Sequence, residues 1–224
     1  MKKIFTVVCL LICVNMYAQK CSDYLFLQNN KTVEMTIYNK KGEENGKQIY
    51  TVSNVTNTGD VTTATLNSEM FDKKGKSIVK ASNHIKCVSG VMMMNMKMML
   101  PQQQAEQFGK AEATAEDVYI DYPSTMNAGD QLKDGSFSMD IDNNGLKQTI
   151  NMSVTNRKVE GKESVTTTAG TWDCFKIYYK SKMVIKTAGI GIPINIEGTE
   201  WYAPGVGVVK TQSKSGGTAI TAIK

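Results

Sequence analysis

The stretch that decides the fold runs Val165-Thr-Thr-Thr-Ala-Gly-Thr-Trp-Asp-Cys-Phe-Lys-Ile-Tyr-Tyr179 and is answered by Glu200-Trp-Tyr-Ala-Pro-Gly-Val-Gly-Val-Val-Lys210. In the first part a turn at Gly170 precedes an aromatic and β-branched run. There Phe175, Ile177 and Tyr179 share one face at period two, the spacing of a strand. In the second part Pro204 presets φ for the second position of a tight turn, and Gly205 accepts the positive φ of the third. Gly207 then lets the backbone re-enter a strand, Val208 to Ser213. Gly170, Trp172, Trp201, Tyr202, Pro204, Gly205 and Gly207 are therefore structural positions, and none brings catalytic chemistry.

Outward from this pair the same alternation recurs. Lys31 to Tyr38 sets Val33, Met35 and Ile37 against Thr32, Glu34 and Thr36, and Asn39-Lys-Lys-Gly42 and Asn45-Gly46 mark the turn into Lys47 to Val55. Val61 to Phe71 and Ser77 to Val88 follow, separated by Asp72-Lys-Lys-Gly75, which repeats the chemistry of Asn39-Lys-Lys-Gly42. Tyr119 to Pro123 is expected to pair at a sheet edge. Ser136 to Ile141 and Gln148 to Lys158 form a hairpin around Asn143-Asn-Gly145, Lys180 to Ile196 gives two more apolar runs, and Ala219 to Ile223 adds a closing strand. Each strand is half polar, as expected of an antiparallel sheet with one wet face. The expectation is a mainly β chain: one curved antiparallel sheet, a half-barrel or open barrel, of roughly ten strands with one short helix, Gln102 to Phe108 after Pro101.

The ends and the charges place the chain. Lys2-Lys3, the apolar run Ile4 to Val14 and the small residue Ala18 have the layout of a secretory signal peptide, so 1–18 is expected to be removed and 19–224 to form a single antiparallel domain. The apolar run is too short to span a bilayer, so no transmembrane segment is expected after cleavage. Without Lys2 and Lys3, 24 basic residues face 21 acids. The lysines are scattered and Arg157 is the only arginine, which argues against a nucleic-acid partner. Of five cysteines, Cys21, Cys87 and Cys174 follow the signal segment. In an oxidising compartment the terminal Cys21 is expected to be bridged, to Cys87 or to Cys174, with the remaining thiol buried. Three reduced, buried thiols are the alternative.

Candidate chemistry is sparse. His84, the one histidine, lies on a strand between Asn83 and Ile85, with Ser82 and Lys86 on its face, and is expected to be exposed. No nucleophile, phosphate-loop or dinucleotide motif occurs, so neither an enzyme nor a cofactor is expected. Asp140-Ile-Asp-Asn-Asn-Gly145 begins like a calcium loop but places Asn151 where a bidentate Glu belongs, and is better taken as a hairpin turn. The segment Val91-Met-Met-Met-Asn-Met-Lys-Met-Met-Leu100 is unusual. As a strand it puts Met92, Met94, Met96 and Met98 on one side and Met93, Asn95 and Lys97 on the other. Such a face suits core packing, an adaptable apolar groove, or, as a minor reading, Cu(I) held by thioethers.

Ala169-Gly-Thr-Trp-Asp-Cys-Phe-Lys-Ile177 and Trp201 to Lys210, with Asn156-Arg-Lys-Val-Glu-Gly-Lys162 and Met126-Asn-Ala-Gly-Asp-Gln-Leu-Lys-Asp-Gly135, resemble the TapB-like family of exported bacterial proteins. That resemblance implies a Gram-negative periplasm or envelope, a mostly antiparallel fold and no established activity. More remotely, a Trp-Tyr strand followed by a Pro-Gly turn is similar to the end strands of LolA-like lipoprotein carriers, which curl a sheet around an apolar cavity. Met92, Met94, Met96, Met98, Met139 and Met152, with Phe137, Ile141, Ile150 and Val154, offer more apolar surface than a one-layer sheet can leave wet. The expected function is therefore binding of a lipid, acyl chain or other apolar molecule on a curved sheet. The alternative is a structural or protein-interaction module of the envelope with a filled core.

Overall fold

The structure is a computed structural model that describes residues 20–100, 112–114, 116–143 and 145–224. Among these residues thirteen strands form one antiparallel sheet. They are β1 (Thr32–Asn39), β2 (Glu44–Thr58), β3 (Val61–Asp72), β4 (Ser77–Val88), β5 (Val91–Asn95), β6 (Glu112–Thr114) and β7 (Tyr119–Tyr122). After them come β8 (Gly135–Asn143), β9 (Leu146–Thr167), β10 (Gly170–Thr187), β11 (Ile190–Ala203), β12 (Gly207–Ser213) and β13 (Gly216–Ile223). The spatial order is β6-β8-β9-β10-β11-β12-β13-β1-β2-β3-β4-β5-β7. The two edge strands, β6 and β7, are thus consecutive in the chain. Thr114 and Tyr119 are joined by so few residues that these ends lie within about 17 Å of each other. A twisted sheet whose two edges are tied this closely is a nearly closed barrel.

Turn chemistry follows the sequence. Asn39 Oδ1 accepts from the amides of Lys41 (2.8 Å) and Glu43 (3.1 Å), and Asp72 Oδ1 does the same for Lys74 (2.8 Å) and Lys76 (2.9 Å). The two Lys-Lys-Gly turns are therefore the same side-chain-to-backbone device used twice. At Ala203–Val206 the Val206 amide donates to the Ala203 carbonyl at 3.0 Å, with Gly205 at φ +82°. Only glycine takes that third position without strain, as the Pro-Gly pair predicts.

The barrel closes by side chains at the seam between β7 and β8. Arg157 on β9 is fully buried, and its Nη1 donates at 3.1 Å both to the Asp121 carbonyl on β7 and to the Lys133 carbonyl leading into β8. One side chain thus grips both sides of the seam. Gly135 packs there against Ile120 and Met96, so closely that a Cβ would lie 2.7 Å from Ile120 Cγ2.

Opposite the β1–β2 and β12–β13 turns, the other end of the barrel is stoppered by the amino-terminal segment. Two 3-10 turns, Cys21–Asp23 and Leu25–Leu27, bury Tyr24, Leu25, Phe26 and Leu27. The Leu25 amide donates to the Gly205 carbonyl at 2.7 Å, and the Tyr24 hydroxyl to the Gly90 carbonyl at 3.0 Å. Cys21 is joined to Cys87 on β4 by a disulfide, while Cys174 is a buried free thiol.

Three expectations need correction or placing. The strand count is thirteen, and it includes the short β6, which no expectation placed in the sheet. The methionine segment is not one strand to Leu100. Asn95 accepts from the Lys97 amide at 3.0 Å, and this local bond replaces the ladder with a 3-10 turn, Met96–Met99. Met92 and Met94 keep the strand alternation, but Met96 and Met98 belong to the turn. The signal segment 1–18 and the short helix Gln102 to Phe108 lie outside the described residues. Among those described, the helical pieces are 3-10 turns, and no helix is long and apolar enough to cross a membrane.

Candidate functional site

Inside the barrel, from the plug to the β1–β2 and β12–β13 turns, lies a cavity of about 630 Å³. Alternation puts the inward side chains of successive strands on its wall: Met35 and Ile37 from β1, Met70 from β3, Met94 from β5, Ile194 and Ile196 from β11 and Val208 from β12. Met98, Met99 and Leu100 from the 3-10 turn and beyond complete that wall. The mouth is polar, with Asn39, Lys40, Asn45 and Ser215 among its residues.

The deep part carries Phe26, Tyr50, Tyr122, Tyr179 and Glu200. Phe26 meets Tyr50 edge-on at 6.0 Å between centroids. Glu200 is 2% exposed, and its Oε2 accepts from the Tyr122 hydroxyl at 2.9 Å. Its Oε1 faces Arg157 Nη2 at 3.5 Å. The Arg157 guanidinium also lies 4.7 Å over the Tyr122 ring, which in turn stacks on Tyr202 at 4.8 Å. The Tyr202 hydroxyl donates to the Tyr24 hydroxyl at 3.1 Å, so the plug is wired into the same network. Burial pushes the Glu200 carboxyl above the usual range, while Arg157 and the Tyr122 hydroxyl pull it back. Burial together with Glu200 pushes Tyr179 up to about 12. Arg157 Nε has no hydrogen-bond partner, so even this well-connected pair carries a cost of burial.

The methionines singled out from the sequence separate into two groups. Met94 and Met98 line the cavity, whereas Met92, Met96, Met139 and Met152 are buried in the packed core. Met35, Met70 and Met99 join the wall and were not singled out. Arg157, Glu200, Tyr122 and Tyr179 were not singled out either. A signal existed for Glu200: Ile190, Ile192, Ile194, Ile196, Glu200 and Tyr202 fall on one period-two face, an acid within an apolar stripe. Ile190 and Ile192, 73% and 65% exposed, continue the cavity-lining Ile194 and Ile196 out to the tip of the β10–β11 hairpin. With Leu146 at 51%, they are the large exposed apolar side chains among the described residues.

The structural motif lies on both faces. Tyr202 points inward opposite Phe175, on the face where Ile177 stands opposite Glu200 and Tyr179 opposite Gly198. Trp201 points to the opposite side of β11 from Tyr202 yet is buried there, 8% exposed; its indole N–H donates to Glu163 and Lys210 Nζ sits 4.8 Å over its ring. Trp172 packs its ring against Gly170. On the outside, exposed His84 meets Asp117 at 3.1 Å, and the same carboxylate accepts from Asn95 Nδ2 (2.8 Å) and Lys97 Nζ (2.9 Å). Partial burial alone would raise Asp117, but the bonds from Lys97, His84 and Asn95 and the Lys97 charge hold it at about 2.

Comparison with known proteins bears on the fold. No curated protein matches the chain. A crystal structure of a candidate exported protein with a YmcC-like fold from Bacteroides fragilis is similar, with 23% identity, a TM-score of 0.72 and coverage of 88% of this chain and 96% of that one. A candidate lipoprotein from Parabacteroides distasonis is similar too, with 21% identity, a TM-score of 0.75 and coverage of 92% and 100%. At these identities the two structures establish the architecture and leave activity open. The TapB-like and LolA-like resemblances of the motifs are not carried by these matches. Residues 28–219, most of the chain, match a single family model, and the chain belongs to the DUF3108-like family.

Proposed function

We propose that this is an exported protein of the Gram-negative periplasm or envelope that binds a lipid, acyl chain or similar apolar molecule in its barrel and catalyses no reaction. The observation that carries the reading is the 630 Å³ cavity with its methionine and isoleucine wall. Its volume falls within the roughly 300–1,000 Å³ of small-molecule sites. Flexible thioethers suit a ligand whose shape varies. The isoleucines leading from the β10–β11 tip to the wall offer an apolar chain a continuous path inward. The signal-peptide layout and the exported or lipoprotein descriptions of the two structural relatives support the location. A sheet curled around an apolar hollow also agrees with what the LolA-like resemblance implies. The test is native mass spectrometry of protein purified from its own periplasm, with titration of a solvatochromic apolar dye. A retained lipid, or saturable dye binding that Met94→Trp abolishes, is expected. Neither lipid nor dye binding would end the reading.

A second reading, a protein-interaction module, is favoured by Leu146, Ile190 and Ile192 at the hairpin tips. Photo-crosslinking from position 190 in periplasm tests it. A discrete protein adduct supports this reading, and lipid adducts alone reject it.

A further inference from the structure

Resting on the cavity reading, we infer that the ligand is an amphiphile whose inner end carries a hydroxyl or amine that donates to Glu200, and that a carboxylate head is refused there. Glu200 is the ionisable carboxyl in the deep part of the cavity, set among Phe26, Tyr50, Tyr122 and Tyr179. A carboxylate offers about four lone-pair positions. Tyr122 takes one at 2.9 Å, and Arg157 approaches another at the long distance of 3.5 Å. Both donors come from the protein, and Arg157 is also committed to the Asp121 and Lys133 carbonyls. Two of those positions are therefore taken, and the residue that carries the others belongs to the cavity lining.

This geometry sorts ligand ends. A methyl end brought to the floor would offer the carboxylate no hydrogen bond. A second carboxylate would meet Glu200 as a like charge, while Arg157 has no place in the described cavity lining. A hydroxyl or ammonium supplies what the site lacks. The competing arrangement places an anionic head at the mouth beside Lys40, with the chain pointing inward.

The test is competition against a cavity-bound apolar dye by three probes of equal chain length: 1-decanol, decylamine and decanoate. Decanol and decylamine should displace the dye at concentrations about tenfold lower than decanoate, and Glu200→Gln should remove most of the decylamine advantage. Decanoate equal to or better than the others would overturn the inference while leaving the cavity reading intact. Absence of dye binding would overturn both. Should Glu200→Gln fail to fold, wild-type protein is labelled instead with a decylamine carrying a photoreactive group beside the nitrogen. Adducts on β7, β10 or β11 around Tyr122, Tyr179 and Glu200 support the inward head, and adducts at Lys40 and its turn refute it.

Discussion

Replacing Arg157 by methionine should be among the most damaging single changes outside the sheet ladders. The substitution keeps an unbranched, space-filling side chain but removes the donors to the Asp121 and Lys133 carbonyls and the partner of Glu200. Breaking a buried ion pair from one side costs about 3–5 kcal/mol, because the surviving charge stays buried without its partner. Here Tyr122 continues to donate to Glu200, which offsets part of the loss. The seam carbonyls lose bonds from a charged group, each worth about 1.5–3 kcal/mol, which adds to it. An overall loss of about 5 kcal/mol or more is expected, measured by urea unfolding through the fluorescence of Trp172 and Trp201. Two dependences separate this mechanism from simple loss of packing. Arg157→Met with Glu200→Met should cost less than Arg157→Met alone, since no uncompensated charge remains. Acid should also shrink the single variant's deficit. Burial already raises Glu200, and loss of Arg157 raises it further, so the folded variant takes up a proton before the unfolded chain does. Between those two pKa values the native state binds more protons, so stability relative to the parent rises as pH falls. A single variant within about 1 kcal/mol of the parent, or a double variant whose cost equals the sum of the singles, would refute the account.

Removing the Cys21–Cys87 bridge by a double Cys→Ser exchange releases a closure of 66 residues, worth about 4 kcal/mol on the chain-entropy model, and should free the plug to exchange its amides early. Intact cooperative unfolding at the parent's midpoint would count against that tether. Cys174, buried and pushed up to about 11 by burial and by Asp173 and Glu163, should resist alkylation at pH 8 in the folded chain and react once urea unfolds it; rapid native labelling would contradict its placement. Asp117, held at about 2, contributes stability that is present above the ordinary carboxylate value and lost as pH falls through about 2. Asp117→Asn should therefore flatten the acid limb of the stability profile between about pH 4 and 2, and an unchanged limb would show that the cluster is solvated.

The sequence by itself determined whatever depends on near neighbours. Period-two alternation placed Phe175, Ile177 and Tyr179 on one face, and the Asx and Pro-Gly turns define their own backbone within four residues. Tyr119–Tyr122 was legible as an edge strand for the same reason. Even the failure at Asn95 was local: its side chain competes with the ladder for the Lys97 amide, a contest that apolar periodicity does not register. The tertiary structure decided what the faces meet. Alternation says that Met92 and Met94 look the same way, but only the barrel's curvature buries the first in the core and leaves the second on the cavity wall. Arg157 and Glu200 are 43 residues apart and lie on strands separated by β10. No local pattern pairs them, because a buried charge is tolerated only where distant strands deliver its partner, and that delivery exists once the sheet has closed.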